Sequence, residues 1–254
     1  VYMARANIAD PEISNKAKMH WVDEIRPCIN CCRCQEASAL FSYKNPNVYC
    51  SVNPRVGREV DFPSPIPEPA KIKKKVLVIG GGPSGMETAR VASLRGHDVT
   101  LVEKSAMLGG AMLMASVPNE KMWPQLKYKI REIKKLPIEV RLKTEATPAL
   151  VDEIKPDVVV VAVGGKTRLP EVPGVDKPSV RGRSVMEQMF GGGKSNNGKK
   201  KDFWVKLALP FLSMVNKVYY NPNIVRKLLK YDFVFFRKQN AILGGGFAGL
   251  EMGE

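Results

Sequence analysis

The chain has 254 residues, 44% of them hydrophobic, which is enough to bury a core without disulfides or metals as staples. It carries 40 Lys and Arg against 25 Asp and Glu. The net charge of +15 leaves nucleic acid, an anionic membrane surface and acidic substrates as classes of partner to weigh. We find no signal peptide and no apolar run of about 18 residues, so we expect no spanning helix and a cytoplasmic location. Because the sequence begins at Val1 rather than Met and stops at Glu254 where a helix starts, we expect both ends to be cut.

The first region, residues 1–27, is predicted to be mostly helical, with a helix start at Asp10-Pro11. A segment this short cannot bury a core of its own. We therefore expect it to pack against another part of a larger protein.

The five cysteines are concentrated near the N-terminus, four of them within seven residues. An odd number packed this closely predicts metal ligation in a reducing compartment rather than disulfide pairing. Cys28, Cys31 and Cys34 have the C-x2-C-x2-C spacing that lets three thiolates converge on one inorganic cluster. Cys50 would return as the fourth ligand, and Cys32 is left over as a substitute. Four thiolates also suit structural zinc, but we favour iron–sulfur because a dinucleotide-binding pattern follows.

A proline-dense stretch separates the cysteines from the rest of the chain. Residues 63–74 include PSPIPEP and a run of lysines, which predicts an extended, stiff linker. We place the clearest domain boundary here.

Residues 75–103 predict a strand, a glycine turn, a helix and a second strand, the order of a βαβ unit. Gly80, Gly82 and Gly85 have the GxGxxG spacing, with separate tasks in the tight turn, the approach to a pyrophosphate and helix packing. Free N–H groups at the helix start then face the phosphates. Glu103 ends the second strand, where a carboxylate accepts hydrogen bonds from ribose hydroxyls and favours the unphosphorylated ribose of FAD or NAD. The alternative is a glycine turn in an ordinary α/β protein.

Beyond this unit, the sequence predicts a helix at 121–135 and strands at 138–142 and 157–163. The last strand is strongly β-branched and runs into Gly164. These elements extend the dinucleotide-binding domain to about residue 190.

Residues 191–238 differ in character from the rest. A glycine- and lysine-rich linker at 191–201 precedes apolar side chains at helical spacing over 203–219, and Asn221-Pro222 predicts the start of a second helix. Between 194 and 238 there are eleven Lys or Arg against two Asp, and nine of the nineteen aromatic residues. This composition suits peripheral docking on a membrane interface or on a partner protein. The alternative is an inserted helical hairpin packed on its own protein.

The C-terminal residues 239–254 repeat the glycine pattern, with Gly244, Gly246 and Gly249 at the same spacing. A second fingerprint implies a second nucleotide. Its acid-bearing strand is absent, so the choice between NADH and NADPH is not encoded here.

The order of these motifs resembles the region beyond the FMN barrel in the 2,4-dienoyl-CoA reductase, trimethylamine dehydrogenase and enoate reductase family, the multidomain relatives of old yellow enzyme. The resemblance covers nearly the whole chain apart from the region around 191–238. Six stretches carry it: RANIADP at 5–11, RPC at 26–28 with its cysteines, CSVNP at 50–54, GRE at 57–59, GGGPSG at 80–85 and EKSAMLGG at 103–110.

The resemblance implies an α/β fold: a Rossmann-like FAD/NAD(P)-binding domain preceded by a small iron–sulfur segment and the tail of a TIM barrel. It implies six regions: 1–27 barrel remnant, 28–62 iron–sulfur segment, 63–74 linker, 75–190 FAD-binding domain, 191–238 basic aromatic insertion and 239–254 start of an NAD(P)-binding domain.

The resemblance also implies the chemistry. Electrons would pass from NAD(P)H through FAD and a 4Fe-4S cluster to FMN in the barrel, which reduces an activated C=C bond of an enoyl or enoate substrate. Arg5 falls where the family has its FMN phosphate arginine, and Gly109 and Gly110 would let the backbone approach a flavin. Gly164 lies in a turn resembling the family's Ala-Thr-Gly, from which Val163 departs. No catalytic residue is named, because the barrel site would be incomplete.

Two other functions are the alternatives. One is an electron-transfer subunit like the small subunit of glutamate synthase, and the other is a basic zinc-containing module that binds nucleic acid or anionic lipid. We favour the reductase, with a small-molecule substrate, a partner redox subunit or a homo-oligomer, and no nucleic acid.

Overall fold

The computed structural model describes residues 3–35, 48–116 and 119–165. The predicted insertion at 191–238 and the second glycine motif, with Gly244, Gly246 and Gly249, lie outside the described residues, as does the end of the FAD-binding domain. The chain divides into two compact units: Val1–Gly110 with Pro124–Gly165, and Ala111–Trp123 with Lys166–Glu254. In the second unit, the structure describes a short helix, α4 (Ala111–Ala115).

The N-terminal region contains two short helices, α1 (Ala4–Ala9) and α2 (Ile13–Lys18), and a 3-10 turn at Val22–Glu24. Much of the region is helical as predicted, but α2 begins at Ile13 rather than at Asp10. Asp10 is buried and accepts hydrogen bonds from Lys16 Nζ at 2.7 Å and from the N–H groups of Glu12 and Arg26. Burial acts to raise the pKa of Asp10, but these hydrogen bonds and the Lys16 charge hold it below its usual value.

The core of the first unit is a four-stranded parallel sheet in the order β3-β2-β1-β4. The strands are β1 (Lys75–Ile79), β2 (Asp98–Val102), β3 (Ile138–Arg141) and β4 (Val158–Val161). The chain moves from β1 to one side through β2 and β3, and then returns to the other side of β1 as β4. The switch point therefore lies at the carboxyl end of β1, where open α/β sheets bind their ligands.

Besides α4, three described helices lie between the strands: α3 (Pro83–Leu94), α5 (Met122–Lys134) and α6 (Pro148–Ile154). Leu77, Leu101 and Met86 are almost completely buried between sheet and helices, as are Leu126 and Ile133 of α5. The sequence did not predict α6, which begins after Thr147, whose hydroxyl oxygen accepts a hydrogen bond from Leu150 N–H at 3.3 Å. None of the helices in these described stretches is long and apolar enough to cross a membrane.

The N-terminal region packs on α5 within the first unit. Arg131 pairs with Asp23 at 3.1 Å, and Lys135 pairs with Glu24. The guanidinium of Arg26 lies over the ring of Tyr128, 5.7 Å from its centre. The segment that leads into the first cysteine is thus attached to the helix that precedes β3.

Candidate nucleotide site and cysteine segment

The glycine turn lies between β1 and α3 at the switch point of the sheet. Gly80 has φ +110°, and a Cβ there would stand 2.4 Å from the carbonyl oxygen of Ala162. A Cβ on Gly85 would stand 1.8 Å from the carbonyl oxygen of Gly80. Both positions therefore require glycine for the chain's own close approaches.

The middle glycine of the motif faces open space. A Cβ on Gly82 would meet no atom within 4 Å, and its backbone is extended, with φ −73° and ψ 179°. Gly82 caps α3, whose first residue is Pro83. Because the first N–H groups of a helix lack intrahelical partners, this open end can take an anion such as a diphosphate.

Glu103 lies beside the turn at the end of β2. Its side chain is buried, and its Oε2 accepts a hydrogen bond from Gly81 N–H at 2.6 Å. Its Oε1 accepts hydrogen bonds from the N–H of Ser105 at 2.8 Å and from its hydroxyl at 2.7 Å. The carboxylate is therefore fixed against the glycine turn. Ser105 was not predicted from the sequence, although a serine two residues after the acid is a recognisable local signal.

The Gly109-Gly110 pair lies against the same turn. Both residues have positive φ, 136° and 51°. Gly109 N–H donates to Gly81 O at 2.8 Å, and a Cβ on Gly110 would stand 3.1 Å from the Cα of Gly82. A side chain at Gly110 would therefore crowd the turn.

Gly164 follows β4 on the other side of the turn. It has φ +77°, and a Cβ there would meet nothing within 4 Å. Val163, which departs from the family pattern, is 69% exposed. The structure thus brings Gly80, Gly82, Gly85 and Glu103 together, with the Gly109-Gly110 pair packed on them.

A carboxylate that sequence reasoning overlooked joins α3 to α5. Glu87 accepts hydrogen bonds from Arg90 at 2.7 Å and from Lys129 at 3.2 Å. Burial acts to raise the pKa of Glu87, but these two cations outweigh it and lower the pKa to about 2. The pairing fixes the helix that follows the glycine turn.

The cysteines are all free and half-buried. Burial raises the pKa of the Cys34 thiol, and the nearby thiols of Cys50 and Cys28 raise it further. Cys31 Sγ lies 3.3 Å from Ser51 Oγ, next to Cys50 in sequence. Among the described residues, however, no group of three or more His, Cys, Asp or Glu is arranged to hold a metal ion.

Arg5 contacts the remaining cysteine. Its Nη1 donates to Cys32 Sγ at 3.2 Å, and Cys32 has a left-handed φ of 54°. The same part of the unit is tied together by Asn53, whose side-chain amide donates to Ile8 O at 3.0 Å. Arg5 is predicted as a ligand of the FMN phosphate, and in the structure its guanidinium donates to the cysteine segment.

Comparison with known proteins identifies the family. Residues 74–254 match the model of the pyridine nucleotide-disulphide oxidoreductase family. The chain belongs to this family. A pyridine nucleotide-disulphide oxidoreductase domain implies FAD and NAD(P)H as its cofactors, and membership argues against a basic zinc-containing binding module.

The relatives confirm the predicted resemblance to the enoate reductase group. The chain is 37% identical to N,N-dimethylglycine/sarcosine dehydrogenase of Chromohalobacter salexigens, over 73% of this chain and 27% of that protein. It is 37% identical to cinnamate reductase of Clostridium sporogenes, over 70% of this chain and 26% of that protein. A solved complex of 2-naphthoyl-CoA reductase with 2-naphthoyl-CoA matches with a TM-score of 0.64 and 38% identity, over 75% of this chain and 28% of that chain. The chain thus spans about a quarter of the length of these relatives.

Proposed function

We propose that this chain is the electron-input part of an NAD(P)H-dependent flavin and iron–sulfur oxidoreductase that reduces an activated C=C bond of the enoyl or enoate type. The observation that carries the proposal is the open glycine turn at the switch point, bordered by Glu103 and the Gly109-Gly110 pair. The similarity to cinnamate reductase and 2-naphthoyl-CoA reductase supports the substrate class.

The residues around the turn fit the nucleotide part of FAD. Gly82 leaves room for a diphosphate at the start of α3, and a Cβ there would fill that room. Glu103 offers a buried, oriented carboxylate to a ribose hydroxyl. On either side of the glycine turn, Gly110 and Gly164 would present backbone without side chains to the rest of the FAD molecule.

The cysteine segment fits an iron–sulfur cluster by the chemistry of its donors. Cys28, Cys31, Cys34 and Cys50 would hold a 4Fe-4S cluster, and Cys32 is set apart by its contact with Arg5. Cys28 and Cys50 both lie near enough to Cys34 to raise the pKa of its thiol.

When bound, FAD supplies hydride acceptance and the cluster single-electron relay, and FMN in a preceding barrel supplies substrate reduction. The work of this chain is to bind, orient and shield these groups. Asp10, Asn53 and Arg26 hold the cysteine segment against its neighbours, and the Glu87 ion pairs hold α3. In the same proposal, Arg5 would bind the phosphate of FMN. Gly244, Gly246 and Gly249 would form the glycine turn of the NAD(P)H site.

The surroundings of the protein are part of the proposal. We expect a cytoplasmic enzyme with a small-molecule substrate, as a homo-oligomer or with a partner redox subunit. Residues 194–238 would dock on a partner protein or at a membrane interface.

Anaerobic purification of the full-length protein tests the proposal. We expect about one FAD and about four iron per chain, and NADH- or NADPH-dependent reduction of cinnamate or a related enoate. A colourless protein with zinc, and neither iron nor flavin, would refute it.

A further inference from the structure

The carboxylate of Glu103 is largely occupied by its own chain. Gly81 N–H donates to Oε2 at 2.6 Å, and the N–H and hydroxyl of Ser105 donate to Oε1 at 2.8 and 2.7 Å. An ionised carboxylate offers roughly four acceptor positions, two on each oxygen. One position therefore remains, and it lies on Oε2.

The hydroxyl of Ser105 determines whether the second acceptor position on Glu103 Oε1 is occupied. It has one proton and two acceptors in range, Glu103 Oε1 at 2.7 Å and Met107 O at 2.9 Å. The shorter contact to a charged acceptor is the stronger one. The hydroxyl therefore fills the second position on Oε1.

The backbone around this contact is held in place by its neighbours. Glu103 N–H donates to Arg141 O at 2.9 Å, and Thr144 N–H donates to Glu103 O at 3.0 Å. Lys143 N–H donates to Ser105 O at 2.9 Å. These contacts fix the backbone of both residues, so the carboxylate can free its second oxygen only by breaking its own hydrogen bonds with Gly81 or Ser105.

We propose that Glu103 accepts one ribose hydroxyl of the bound nucleotide rather than two, and that Ser105 is the positioning residue that imposes this selectivity. The inference rests on the proposed binding of FAD at the first glycine turn. A carboxylate with both oxygens free would accept the 2′ and the 3′ hydroxyl together. Here the chain's own donors leave a place for only one.

Competition with deoxynucleotides tests the inference directly. Flavin-depleted full-length protein is titrated with FAD, and ADP, 2′-deoxy-ADP and 3′-deoxy-ADP are used as competitors. We expect one deoxynucleotide to compete within about twofold of ADP and the other to be at least about tenfold weaker, because only one hydroxyl donates to the charged group. Equal weakening of both deoxynucleotides, or of neither, would overturn the proposal.

Variants of Ser105 test its part. In Ser105→Ala, we expect the ratio between the two deoxynucleotide affinities to fall below about threefold, and Ser105→Thr, which keeps a hydroxyl, should restore it. Thr88→Ala is the matched control, because the Thr88 hydroxyl donates to Ser84 O within α3 and not to Glu103. If Ser105→Ala weakens all three competitors equally and keeps the ratio, Ser105 is merely structural and its assignment fails.

Two outcomes distinguish a failure of the proposed FAD site from a failure of the proposed hydroxyl selectivity. Failure of the depleted protein to rebind FAD would refute the FAD site and the inference together. If FAD rebinds but the two deoxynucleotides have nearly equal affinities, only the selectivity is refuted.

Discussion

Lys129 on α5 lies 3.2 Å from the carboxylate of Glu87 on α3, and Arg90, also on α3, pairs with the same carboxylate at 2.7 Å. One side chain therefore joins the helix that follows the glycine turn to the crossover helix. Arg131 of α5 and Lys135, one residue past its end, pair with Asp23 and Glu24, so α5 also connects α3 to the segment before the first cysteine.

The Glu87 pairing predicts a pH-dependent contribution to stability. The pKa of Glu87 is lowered from 4.5 to about 2, so the stabilisation is complete above pH 4.5 and is lost as the pH falls toward 2. We expect Glu87→Gln to lower the free energy of unfolding by about 1–3 kcal/mol at pH 7, and by progressively less below pH 4.5. Denaturant unfolding from pH 7 to 3 measures this, with the exposed Glu145→Gln as control. A difference that stays constant with pH would contradict it.

The glycine turn predicts two different kinds of defect. Gly85→Ala places a Cβ 1.8 Å from a backbone oxygen, so we expect loss of folded protein. Gly82→Ala meets nothing within 4 Å, so we expect the melting temperature to stay near wild type while FAD affinity falls by about tenfold or more. Thermal unfolding of the flavin-depleted proteins and FAD titration distinguish the two. Normal FAD affinity in Gly82→Ala would show that the open space is not the diphosphate site.

The cysteines differ in their predicted contribution to the cluster. We expect serine at Cys28, Cys31, Cys34 or Cys50 to reduce iron from about four per chain to about one or less. Cys32→Ser should keep its iron, because the Cys32 thiol is held by Arg5, and it serves as the matched control. Iron and sulfide analysis after anaerobic purification measures the cluster content of each variant. Iron loss in Cys32→Ser would make that residue a ligand.

Tyr128 predicts how firmly the cysteine segment is attached. Tyr128→Leu removes the ring beneath Arg26 and should destabilise the contact by about 0.5–2 kcal/mol, whereas Tyr128→Phe keeps the ring and should change little. Hydrogen exchange of residues 22–28 is the measurement. We expect faster exchange in the leucine variant alone. Equal exchange in all three proteins would mean that the ion pairs of Arg131 and Lys135 are sufficient.

The elements with strong local signals were predicted closely. Strands β3 and β4 lie within two residues of the predicted bounds, and β1, the glycine turn, α3 and β2 follow in the predicted order over 75–103. Helix α6 was missed, although Thr147-Pro148 is a good cap and first-turn pair. Its seven residues carry too short a pattern to reveal a helical period.

The site was predictable only in part. The glycines and Glu103 follow from spacing, because a βαβ unit brings the end of β2 beside the turn after β1. The contacts of Glu103 with Ser105 and of Arg5 with Cys32 do not follow, because they depend on how loops close in three dimensions. The Arg5 contact joins residues 27 positions apart, in segments without a shared pattern.

Electron paramagnetic resonance of the full-length protein tests the central claim most directly. If this chain binds FAD at the first glycine turn and an iron–sulfur cluster in the cysteine segment, NADH or NADPH will produce the signal of a reduced cluster. Removing FAD will abolish that signal, and adding FAD back will restore it. A cluster signal that the reduced nicotinamide produces equally well without FAD, or a flavin that bleaches while the cluster stays oxidised, would contradict the account.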